Sequence, residues 1–123
     1  MMHPVARTCL FLPAIALLLS ACSPHPGAGN WTAAKENDWG ISRLTLSYEG
    51  RGLFTSRQPA ATWHCFWGGT DRHSARLDCT PSSNTDRETQ FVFSVNQDGI
   101  GILSQEGKTL GRFRRIDGKP EIP

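Results

Sequence analysis

From Trp31 to Ile116 the chain alternates short apolar or β-branched runs with clusters of turn residues, and within those runs the apolar positions recur every second residue. Leu44, Leu46 and Tyr48 alternate with Thr45 and Ser47, the period of a strand with one buried face. Glu49-Gly50-Arg51-Gly52 then turns the chain, and Leu53-Phe54-Thr55 returns. Between Thr62 and Trp67 the residues Trp63, Cys65 and Trp67 share a face, and Gly68-Gly69-Thr70-Asp71 breaks the run. Ala75, Leu77 and Cys79 resume the alternation. Phe91, Phe93 and Val95 form a further strand, Asn96-Gln97-Asp98-Gly99 a turn, and Ile100 with Ile102 the next return. After Glu106-Gly107-Lys108 comes a last strand around Leu110 to Ile116. Acidic-Gly pairs at hairpin positions supply the positive φ that tight turns demand.

The pattern predicts six or seven strands in an all-β domain, an antiparallel meander closed as a small barrel or folded as a sandwich. The best helical window, Thr32 to Asp38, is long enough for one turn only. If Phe66-Trp67 and Arg76-Leu77 flank a hairpin, Cys65 faces Cys79 and Trp67 faces Leu77 on the inward face, so a cross-strand disulfide is expected. Closing a loop of about 15 residues would contribute ~3 kcal/mol in the chain-entropy model.

The first residues carry a different pattern. Arg7 precedes an apolar run from Cys9 to Leu19 of about 11 residues, well short of the ~20 that span a bilayer. Leu19-Ser20-Ala21-Cys22 follows: an aliphatic residue, two small residues and a cysteine. This segment resembles the lipobox of bacterial lipoproteins. The resemblance implies cleavage after Ala21 and fatty acylation (diacylglyceryl and palmitate-type chains) of Cys22. Each buried methylene contributes ~0.8 kcal/mol, so two or three chains anchor a small domain to a membrane. Ser23 rather than Asp after the cysteine implies the outer membrane, with the domain facing the periplasm. In that oxidising compartment Cys65 and Cys79 remain as the even pair.

The expected organisation is a signal peptide over 1–21, a lipidated cysteine and flexible tether over 22–30, a β domain over 31–118 and a tail over 119–123. Ser23 to Asn30, with two prolines and two glycines, has no apolar periodicity with which to pack. Net charge is only +2, which gives no bulk attraction for nucleic acid. The layout of a Trp near the domain start, acidic-Gly turns and a Trp-bearing strand is similar to that of small lipocalin-like envelope lipoproteins and, more distantly, barrel-shaped lysozyme inhibitors. The inhibitors' Gly- and Trp-rich carboxy-terminal segment is missing, so none of their residues is carried over.

Candidate chemistry is sparse. No nucleophile elbow, phosphate loop or metalloprotease helix motif occurs, so no catalytic residue or cofactor is assigned. His64, Cys65, His73 and Cys79 are four zinc-capable ligands, but their spacing matches no standard finger. His64 also falls on the strand face opposite Cys65, which favours the disulfide. Trp31, Trp39, Trp63 and Trp67 are either the lining of a ligand pocket in a barrel or large side chains that fill it. Trp63 and Trp67 are expected in the core, and Trp39, in a polar stretch beside Gly40, is expected exposed as a candidate surface-binding residue. Arg112, Arg114, Arg115 and Lys119 form the one concentrated basic segment. Arg112 and Arg114 share a strand face, either to meet lipid phosphate or an acidic partner or to guard a sheet edge. Together these features point to a non-enzymatic, membrane-anchored binding module for an envelope protein (inhibitor or immunity type) or a small ligand. The alternative is a structural accessory, such as a pilotin or assembly factor of an envelope or secretion machine, that engages its partner through an exposed apolar groove or a sheet edge.

Overall fold

A computed structural model describes residues 23–123; the expected signal peptide and Cys22, the expected site of acylation, lie outside the described residues. Eight strands follow one another: β1 (Gly29–Ala33), β2 (Arg43–Leu46), β3 (Arg51–Arg57), β4 (Ala60–Gly69), β5 (Ser74–Pro81), β6 (Thr89–Val95), β7 (Ile100–Gln105) and β8 (Lys108–Ile116). Each pairs antiparallel with the next, and β8 pairs back onto β1 through Asn30↔Ile116 to Ala33↔Phe113. The sheet is therefore a closed up-and-down barrel. Closure also settles the choice between barrel and sandwich.

Seven of the strands coincide with the runs expected from alternation. The eighth, β1, spans the end of the expected tether and the start of the expected helical turn. It is only five residues long, begins with glycine, and shows too little alternation to stand out. Its conformation is imposed by β2 on one side and β8 on the other. The tether expectation is corrected with it: Gly27, Ala28 and Gly29 are buried, as is Pro120 in the expected tail. The packed domain therefore extends beyond 31–118 at both ends.

The β4–β5 hairpin has the expected register, with Cys65 opposite Cys79 and Trp67 opposite Leu77. Cys65 and Cys79 are disulfide-bonded. At the β7–β8 hairpin, Glu106 (φ 50°) and Gly107 (φ 80°) form the two-residue turn whose twist matches the strands it joins. Inward positions are mostly apolar, Ser56 on β3 being a buried exception, and Trp31, Phe54, Trp63, Phe91, Phe93 and Phe113 fill the centre. Phe54 stacks on Trp63 at 5.7 Å, and Phe91 meets both rings edge-on. Gly101 on β7 faces the Phe93 ring so closely that a methyl group there would collide with it. Outward positions are mostly polar, the reverse of a barrel embedded in lipid.

Candidate functional site

A barrel can offer three kinds of site: its interior, its two ends and its outer wall. The interior is occupied by its own side chains, as expected for eight strands, where the lumen is just wide enough to be filled. One end is plugged by residues 34–42. Asn37 folds this loop by donating from Nδ2 to the Ile41 carbonyl (2.8 Å) and accepting the Ile41 N–H on Oδ1 (2.9 Å). Ile41 is thereby buried. Trp39 is half-buried, 5.7 Å from Trp63 and 5.9 Å from Phe91, and its carbonyl accepts the Arg57 and Gln58 N–H groups. The expectation of an exposed Trp39 is thus corrected: the loop carries it back over the open barrel mouth, where its ring covers apolar surface. Behind it, the Trp63 Nε1–H donates to Ser56 Oγ (2.9 Å), which in turn donates to the Pro59 carbonyl.

The other end is closed by the amino-terminal segment. The Trp31 Nε1–H donates to the Gly27 carbonyl at 3.0 Å. Arg115 lies over the Trp31 ring, 4.4 Å from its centroid, and donates to the carbonyls of Ala28 and Pro26. His25 accepts the Gly27 N–H on Nδ1 (3.0 Å), so its Nε2 carries the proton donated to the Asp71 carbonyl (2.8 Å). The His25 ring also sits edge-on to Trp67, 5.9 Å away. Trp67, half-buried rather than fully in the core, donates from Nε1 to the Ser47 carbonyl (2.9 Å). Pro24, His25, Ala28, Tyr48 and Trp67 line a shallow groove beside the point where the described chain begins. In the neighbouring turn, Asp71 accepts the His73 and Ser74 N–H groups, both at 2.9 Å, and these bonds hold its carboxyl below the usual aspartate value.

The structure separates the four basic residues that stand together in sequence. Arg115 is spent on Trp31 and the amino-terminal segment. Lys119 pairs with Glu121 across 3.7 Å in solvent, an interaction worth little. Arg112 and Arg114 are exposed on the outer wall and share a face, as expected. The edge-guarding role is excluded, because β8 is hydrogen-bonded on both sides. Of the four zinc-capable residues, Cys65 and Cys79 are joined to each other and His64 is exposed on the opposite face. No family model, curated protein or solved structure matches this chain.

Proposed function

We propose that this protein is an outer-membrane lipoprotein, acylated at Cys22 and facing the periplasm, that works as a non-enzymatic module binding another envelope protein. One observation carries the choice of ligand class. The barrel is filled by aromatic side chains and plugged at both ends, so recognition falls to its outer surface, whose grooves among the described residues are open rather than enclosed and suit a macromolecule better than a small ligand. The pilotin-type alternative loses its simplest means, since a closed barrel has no unpaired strand edge on which to add a partner strand. The stitched amino-terminal segment bears on anchoring: with His25 to Ala28 bound to the barrel, only Ser23 and Pro24 separate Cys22 from it. That end of the barrel would sit against the membrane, with the wall standing upright from it.

Replacing Cys22 by Ala should abolish labelling by a fatty-acid probe and release the protein from the membrane fraction, and retained lipid label would refute the anchor. The binding role is tested separately by photoreactive residues placed at exposed positions of the barrel in intact cells. A discrete, position-dependent crosslink to one protein is expected. Absence of any crosslink from wall and loop positions alike would refute a protein-binding role.

A further inference from the structure

Barrel closure assembles a cationic surface that no segment of the chain displays. The five neighbouring strands β7, β8, β1, β2 and β3 contain no Asp or Glu. Arg51 and Arg57 on β3 lie toward the barrel ends, each lining a groove that also contains glutamate: Glu49 and Glu121 for Arg51, Glu36 for Arg57. Arg43, Arg112 and Arg114 are different. All three are exposed, and none forms an ion pair among the described residues. They are also adjacent. Arg114 pairs with Thr32, and Thr32 pairs with Arg43, so one row across the wall reads Ile100, Arg114, Thr32, Arg43. With strands ~4.8 Å apart, the Arg114 and Arg43 backbones are separated by about 10 Å, and Arg112 lies two residues along β8, about 7 Å from Arg114.

A merely solvated face interleaves both signs of charge, because like charges repel. Here three cations are held together, none of them in an ion pair among the described residues, and there is no edge for them to protect. Partly exposed Ile100 and Ile102 stand beside them on β7, with Ile116 two residues beyond Arg114, and offer apolar contact. Guanidinium groups on such a frame suit planar carboxylates, which they bind in bidentate fashion.

We propose that Arg43, Arg112 and Arg114 form the docking surface for an acidic polypeptide segment that presents carboxylates about 7–10 Å apart. This deepens the protein-binding reading and rests on it. A protein segment fits better than a lipid surface, because the chain leaves the barrel at an end and this triad lies on the wall. In that orientation the arginines look sideways along the envelope.

The test uses the purified acylated protein in nonionic detergent and a fluorescent oligoglutamate peptide, read by anisotropy. Each of Arg43→Gln, Arg112→Gln and Arg114→Gln should weaken binding about fivefold, and the triple change about a hundredfold. These losses should shrink in high salt. Lys119→Gln should change nothing. Equal binding by the triple variant, or no binding by the unaltered protein, overturns the proposal. So does arginine-dependent binding to phosphatidylglycerol vesicles without binding to the peptide, which would make the wall a lipid surface. Crosslinks in cells from photoreactive groups in the loops, but none at Thr32 or Thr45, would overturn this surface while leaving a binding module. Silence at every position would remove both.

Discussion

Asp71 illustrates how a single side chain can hold a turn. Its Oδ1 accepts two successive backbone N–H groups, those of His73 and Ser74, and a carboxylate accepts them better than a carboxylic acid does. The folded pKa is therefore lowered from 3.8. For a depressed carboxyl, the associated stability is fully present above the unfolded value and is lost as pH falls through the folded one. Carbon-detected NMR titration should place the Asp71 midpoint below the ordinary aspartate value of 3.8. The stability difference between the unaltered protein and Asp71→Ala should be constant above the ordinary value of 3.8 and narrow as pH falls below it. A difference that does not change with pH would mean that the turn is held by something else. Gly101 makes the complementary point about size: beneath Phe93 the missing side chain is itself the structural requirement, and nothing in the local sequence around Ile100 and Ile102 announces it.

At the scale of elements, the loop 34–42 does more than connect β1 to β2. It contributes Trp39 and Ile41 to the core and is held in shape by one asparagine. Trp39→Ala should cost about 2 kcal/mol in urea denaturation, less than the ~3–5 kcal/mol of a fully buried tryptophan because part of the ring is already in water. Were Trp39 a free recognition residue, the same change would leave stability within ~0.5 kcal/mol. The β4–β5 hairpin behaves differently, because its pairing follows from local information. Alternation puts Cys65 and Cys79 on the inward face, the Gly68-Gly69-Thr70-Asp71 break marks the reversal, and register then joins the two cysteines. Alternation could not say that Trp39 returns to the barrel, since a half-buried aromatic in a polar loop carries no periodicity.

For the whole molecule, closure has a consequence for association. Arg112 and Arg114 lie on a strand hydrogen-bonded on both sides, so changing both to Gln should leave the sedimentation behaviour of the protein unchanged, with no added tendency to aggregate through strand pairing. Self-association of that variant would indicate that the β1–β8 seam opens in solution. Outward rows around the seam also explain why the basic wall was only half legible in the chain. Arg112 and Arg114 stand out as neighbours with a period of two, whereas Arg43 is some seventy residues away and acquires its place through Thr32 and two strand pairings.

The local rules were sufficient for the strand runs, the acidic-Gly turns, the inward cysteines and the all-β class, because a side-chain period of two and the φ demands of tight turns are written residue by residue. Nearest-neighbour pairing in a meander adds little to them. The chain could not say by itself that the first strand meets the last, that residues 25–29 bind to the barrel instead of hanging free, or that Trp39 closes its mouth. Each of these depends on the three-dimensional position of a distant partner: β8 for β1, Arg115 and Asp71 for the amino-terminal segment, and Trp63 and Phe91 for Trp39. Such partners are set by the number and twist of all eight strands together, which no window of sequence contains.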